Sequence, residues 1–365
     1  MKLTCSKEKL TQGLDIVTRA IPTRSTLPVL GNVLIKAEDG KLTLATTNLE
    51  LAIITSFECE IAEPGSITVP AKLFSSFCSL LNESEISLEV LPQHTLQVRS
   101  SRNETTFKGI DGQEFPLIPQ VEQKSQFNLP YQLILDGLEK TVFASANDET
   151  RPVLAGVLFW QKDEVLKLVA TDSYRLAERT ITLPEKSAVE IKIIVPSRTV
   201  LELQRILSKK QEEVAITIGE NQVKFVVGNV TVISRLIEGN FPPYEKIIPA
   251  TFTAHITIDR DEMILAVKRT SLFAQTGTHN LYLELGNGEL IVSGEMQEVG
   301  KDQSKLTGEC VGELKKITFN ANHLLASLEH IPEDTVTLNV NTDTSPGLLR
   351  GKDEKYINIV MPRKV

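Results

Sequence analysis

The chain repeats itself, and no other feature restricts its possible folds as much. Three segments align without gaps: 67–81, 193–207 and 317–331, with starts 126 and 124 residues apart. Each opens on an alternating apolar strand. A turn or cap signal follows (Pro70-Ala71, Pro196-Ser197, Asn320-Ala321), and the apolar spacing then becomes helical. In the first copy Leu73, Phe74, Phe77, Leu80 and Leu81 read as one apolar helix face; Val200, Leu203, Ile206 and Leu207 repeat the stripe. A second set lies half a repeat upstream, at 3–21, 127–145 and 256–274, with Leu10, Ile134 and Met263 in one register. A third echo sets Pro28-Val-Leu…Ala45–Ala52 against Pro152-Val-Leu…Ala170–Ala177.

Between the helices, alternating segments such as 33–37, 41–45, 86–90, 96–100, 214–218 and 223–227 read as hairpin strands, joined by Gly, Asn and Asp turns. Pro-rich breaks at 115–119 and 241–249 close the first two repeats. The unit is βαβββ, two per domain, three domains per chain, with expected bounds 1–120, 126–249 and 254–365. The period is longer than that of stacking solenoids. The fold class is α+β, with antiparallel sheets and two covering helices per domain.

Composition excludes other classes. The N-terminal stretch lacks a signal-peptide core, and apolar runs such as 153–160 are too short for a bilayer span, so a cytoplasmic chain with no membrane partner is expected. The four cysteines (Cys5, Cys59, Cys78, Cys310) form no CxxC pair, which favours free thiols over disulfides or zinc. No phosphate-binding glycine loop, nucleophile elbow or HExxH is present, and the five histidines are scattered. Asp172 could serve as a general base, but it aligns with Thr47 of the first repeat and reads better as a turn former. No catalytic residue, metal site or cofactor is expected.

A net charge of −8 argues against a protein that coats nucleic acid. Its distribution argues the other way. The six expected helices (about 7–20, 71–81, 131–143, 197–210, 259–273 and 320–331) sum to +3 and the remainder to −11. Repeated helices on a common face would gather their cations together.

Six motifs in order carry a resemblance to a known family: Arg24–Asn32, Val69-Pro-Ala71, Asp148–Leu154, Ala170–Ala177, Gly239–Tyr244 and Val360-Met-Pro362. Together with the threefold repeat, they make the chain similar over essentially its whole length to the bacterial DNA polymerase III beta subunits, the sliding clamps. The resemblance implies a head-to-tail homodimer closed into a ring around duplex DNA, with helices lining the hole, sheets outside and no sequence readout. It implies a processivity factor without an ATP site. Arg24 lies in a matching motif; Lys72, Arg198, Arg205, Lys209 and Lys210 are placed toward DNA by pattern. A partner cleft is implied at Leu154, Thr171, Ser173, Tyr174, Arg175, Leu176, Pro242, Lys246, Ile247, Ser345, Val360, Met361 and Pro362. Its expected occupants are peptides of the DNA polymerase III alpha subunit, the clamp loader delta subunit and other proteins with a clamp-binding motif. Phe107, Leu272 and Phe273 are candidates for the subunit contact. The competing readings are an enzyme with a domain-junction site near Asp172 and Arg175, and an adaptor that never encircles DNA.

Overall fold

The computed structural model describes residues 1–22, 24, 27–148, 150–183, 186, 190–274, 279–286 and 288–363, and of Lys315 the backbone alone. Ser25, Thr26 and Glu149 of the motifs lie outside the described residues.

Among the described residues, six α-helices form where the periodicity places them: α1 Lys7–Val17, α2 Ala71–Leu80, α3 Tyr131–Glu139, α4 Ser197–Lys209, α5 Arg260–Ser271 and α6 Ala321–Glu329. Local chemistry starts them. The Ser6 hydroxyl accepts from Lys9 N, the Asp259 carboxylate from Glu262 N, and the Asn320 side chain from Asn322 N and His323 N. The register shared by Leu10, Ile134 and Met263 faces the core, each at 0–1% exposure. The Val200, Leu203, Ile206 and Leu207 stripe is buried as well.

Helix α2 departs from its expected single face. Phe74, Cys78 and Leu81 are buried, whereas Leu73 and Leu80 are 61% and 79% exposed. Residues 71, 74 and 78 form one i, i+3, i+7 row and 73, 77 and 80 a second, so the helix carries two apolar stripes and can bury only one in its own domain. Phe107 joins the inner group: it is buried, and its ring meets those of Phe74 and Phe77 edge-on at 5.4 Å.

The βαβββ order holds in all three repeats, with short extra strands at Glu60–Glu63, Ile110–Asp111 and Glu309–Val311. Among the described residues every strand pairing is antiparallel, and the first strand of each unit joins the sheet of the other unit. Lys2–Ser6 pairs with Glu85–Leu91, while Gly65–Pro70 pairs with Asn32–Glu38. The two halves of a repeat are thereby interlocked.

Sheets also run on from one repeat to the next. Leu51–Glu58 of the first repeat pairs with Val230–Arg235 of the second, giving a nine-stranded sheet. Arg175–Thr182 of the second pairs with Tyr356–Val360 of the third, giving another. A five-stranded sheet ending at Glu104–Lys108 and a four-stranded sheet ending at Gly300–Thr307 remain. The chain accordingly divides into two compact units, Met1–Gln132 with Glu202–Leu236, and Leu133–Leu201 with Ile237–Val365. The division passes through the middle repeat, whose strands are shared between the two nine-stranded sheets.

The four cysteines are free thiols. Burial pushes Cys5 and Cys78 up to about 12, so both pack as protonated, apolar groups. No helix among the described residues is long and apolar enough to cross a membrane.

Candidate peptide cleft and nucleic-acid interface

In the second unit, the strand pair Arg175–Thr182 and Tyr356–Val360 lies over a cluster formed by Leu158, Val169, Leu176, Ile194, Phe241, Tyr244, Leu348 and Ile359. Val153, Ile237, Ile248, Phe252 and Met361 pack against it while partly open to solvent. Phe241 and Tyr244 insert from the Pro-rich segment, with rings edge-on at 6.2 Å. The segment is bent into place at Gly239, whose φ of 126° excludes other residues and where a Cβ would meet Val153 Cγ1 at 2.7 Å.

The expected cleft residues all fall in this unit. Leu154, Thr171, Leu176 and Val360 are buried. Arg175, Ser345, Met361 and Pro362 are half-buried, while Ser173, Tyr174, Pro242, Lys246 and Ile247 are exposed. Tyr174 at 52% exposure and Ile247 at 39% are large apolar surfaces left open. Met361 N donates to Tyr174 O at 2.8 Å, which fixes the tail beside the turn.

That turn is held by side chains. Asp172 Oδ1 accepts from Tyr174 N and Arg175 N, both at 2.9 Å, and Oδ2 accepts from Arg175 Nε at 3.2 Å. Thr171 Oγ1 donates to Arg175 O, and Ser173 takes φ 77°. The first repeat builds the same turn: Asn48 Oδ1 accepts from Glu50 N and Leu51 N, Thr47 Oγ1 donates to Leu51 O, and Leu49 takes φ 77°. The counterpart of Asp172 is therefore Asn48. The sequence alignment with Thr47 is one residue out of step, because the run of Ala and Thr before the turn lets the match slide. One oxygen of Asp172 makes the backbone contacts that the Asn48 amide oxygen makes in the first repeat, and the other pairs with Arg175, so both are engaged as acceptors and Asp172 is a structural carboxylate.

His323, from α6, comes to the same place. Its ring lies 5.9 Å from that of Tyr174. Burial is the main force holding its pKa below the ordinary histidine value; Arg175 and Arg363 add to the effect and Asp172 opposes it. Sequence reading missed this histidine because its neighbours are remote in the chain. Arg179 ties the unit together: it donates to Asp136 on α3 at 2.7 Å and to Asp353.

The cations expected to face DNA are only partly gathered. Arg24, Lys72, Arg205 and Lys209 are exposed and Lys210 half-buried in the first unit; Arg198 is exposed in the second. Several are held by acids. Lys209 Nζ lies 2.6 Å from Asp15 Oδ2 and, with Arg19, keeps that carboxyl below its usual range. Arg205 bonds Glu202 at 2.6 Å, and Lys210 bonds Asn229. The exposed Lys209–Asp15 pair is worth about 0–1 kcal/mol, whereas Glu202 is buried beneath Arg205. Leu272 is 73% exposed just past α5, and Phe273 packs within 3.7 Å of the Cβ position of Gly300.

Three family models match the chain: the DNA polymerase III beta subunit N-terminal domain over residues 1–119, its central domain over 128–243 and its C-terminal domain over 245–364. A beta sliding clamp of Synechococcus elongatus is 33% identical, with 99% of each chain covered, and one of Bacillus subtilis is 30% identical over the same share. Among solved structures, a DNA polymerase III subunit beta sliding clamp of Pseudomonas aeruginosa bound to griselimycin superimposes with a TM-score of 0.96 at 30% identity, covering all of both chains. A DNA polymerase sliding clamp from Bacillus subtilis gives 0.96 at 29%, covering 100% of this chain and 99% of that one.

Two predictions follow from the turn and from His323. Asp172→Asn should keep the turn, since Asn48 supports the same backbone contacts, and lose only the Arg175 pair; Asp172→Ala should cost about 1–2 kcal/mol more in urea denaturation by also leaving two backbone N–H groups without their acceptor. With its pKa lowered in the folded state, His323 is protonated first in the unfolded chain. Stability should hold above the ordinary histidine value and fall as pH drops from there through the lowered one. His323→Gln should flatten that part of the stability–pH curve; an unchanged slope would remove His323 as its source.

Proposed function

The chain belongs to the DNA polymerase III beta subunit family and is a non-catalytic DNA sliding clamp, and we propose that two copies close head-to-tail into the ring that encircles duplex DNA. The observation that carries the closure is the pattern of sheet edges. At both repeat junctions, the last strand of one repeat's first unit pairs with the last strand of the next repeat's second unit. Applying the same rule once more, Gly300–Thr307 of the third repeat needs a partner equivalent to Val230–Arg235 and Tyr356–Val360. That equivalent is Glu104–Lys108 of a first repeat, at the edge of the five-stranded sheet. Between two copies, five strands and four make a third nine-stranded sheet, and the rotation closes.

Side chains beside the two edges suit such a contact. Leu73, Phe77 and Leu80 form the unused stripe of α2, with Phe77 packed on Phe107 of the edge strand. Leu265 and Leu272 are 63% and 73% exposed on and after α5, beside Gly300–Thr307. In this reading Phe107 is the floor of the interface and Leu272 with Phe273 the knob set against it. The domains run over 1–120, 126–249 and 254–365. Arg24, Lys72, Arg198, Arg205, Lys209 and Lys210 supply weak, interchangeable phosphate contacts, which favours sliding over arrest. The surface around Tyr174, Ile247 and Met361 takes apolar anchors of peptides from the polymerase alpha subunit, the clamp loader delta subunit and other clamp-binding proteins, in the cytoplasm.

Leu272→Asp should convert dimer to monomer in light scattering at micromolar concentration without changing the far-UV spectrum, since the side chain is solvent-exposed in the single chain. A dimer that survives would remove this edge from the contact. Truncation after Val360 should weaken a fluorescein-labelled C-terminal peptide of the polymerase alpha subunit by about tenfold or more in anisotropy, the expected loss of a buried anchor. Unchanged affinity would place the peptide elsewhere.

A further inference from the structure

The repeat that builds the Tyr174–Met361 surface builds a second groove in the first unit. Its walls are the turn at Leu49 and Glu50, the Pro-rich segment at Leu117 and Ile118, and the strand end at Ile233 and Arg235, enclosing about 270 Å³. The correspondence holds at the level of individual bonds. Arg235 N donates to Glu50 O at 2.8 Å as Met361 N donates to Tyr174 O at 2.8 Å, and Ile233 stands opposite Ala52 as Ile359 stands opposite Leu176. Phe115-Pro116 answers Phe241-Pro242, with both phenyl rings buried.

The groove is lined for a ligand of different charge. Leu117 is 97% exposed and Leu49 50%, an apolar surface that no described residue of the unit covers. Where the other surface has Tyr174 and Met361, this one has Glu50 and Arg235, both exposed and, among the described residues, joined to each other only through the backbone. Two apolar walls flanked by an exposed carboxylate and an exposed guanidinium fit an extended peptide with two apolar side chains set between a basic and an acidic residue.

We infer that the groove between Leu49, Leu117 and Arg235 is a second peptide-docking site, selective for partner segments that carry apolar anchors next to an acidic residue answering Arg235. This rests on reading the Tyr174–Met361 surface as a peptide site, and the two readings separate in one experiment. A random heptapeptide phage library is panned on the full-length protein. Clones are then titrated against full-length Leu117→Glu and Arg235→Glu, and against Tyr174→Ala and Ile247→Glu. All four positions are exposed, so folding is spared.

The expected result is a class of clones weakened about tenfold or more by Leu117→Glu and Arg235→Glu yet indifferent to the other pair. Within that class, replacing the peptide's acidic residue by lysine should restore binding to Arg235→Glu. Absence of any clone lost to Leu117→Glu and Arg235→Glu overturns the proposal. Absence of clones lost to Tyr174→Ala and Ile247→Glu overturns instead the assignment of the first surface.

Discussion

Backbone hydrogen bonding between the edge strands of successive repeats is the interaction on which the rest of the molecule depends. An exposed strand edge is a row of unpaired donors and acceptors, and a protein made of small sheets has many. Here Leu51–Glu58 meets Val230–Arg235, and Arg175–Thr182 meets Tyr356–Val360, so that two edges vanish at each junction. The same two junctions create the grooves at Glu50–Arg235 and Tyr174–Met361, because a turn from one repeat and a strand end from the next are brought side by side. Pairing, the grooves and the remaining open edges at Glu104–Lys108 and Gly300–Thr307 are consequences of one repeated rule.

Electrostatics works within that frame. The acidic total of −8 is compatible with DNA because retention by enclosure needs little attraction. The helix cations illustrate how little is used. Lys209 and Arg19 hold Asp15, Arg205 holds Glu202, and Lys268 holds Glu329. The pairs at Asp15 and Glu329 are weak and solvent-exposed, whereas Glu202 is buried.

Much of this was legible in the sequence. The gap-free alignment of 67–81, 193–207 and 317–331 located three helices and the strands feeding them, and Leu10, Ile134 and Met263 marked the core register. What escaped was non-local. Nothing in Lys2–Ser6 announces that it pairs with Glu85–Leu91 and not within its own unit, since strand pairing is decided by distant partners. The two stripes of α2 read as one because 73, 74, 77, 80 and 81 are all apolar and spacing alone does not say which of them face the core. Asp172 slid one position against the first repeat, and His323 reached the Tyr174 turn only through folding. The cleft residues came from motif resemblance; their grouping in one unit, and the existence of the equivalent groove beside Leu117, are visible only with the strand register in hand.

Retention on DNA is the most direct test of enclosure. The purified protein, loaded on nicked circular DNA by a clamp loader, is followed by gel filtration before and after a restriction enzyme linearises the circle. Enclosure predicts that the protein co-elutes with the circle at salt high enough to screen its few phosphate contacts, and is lost from the DNA once a free end exists. Equal retention on circular and linear DNA, or loss from both as salt rises, would contradict a ring and leave a surface-bound protein in its place.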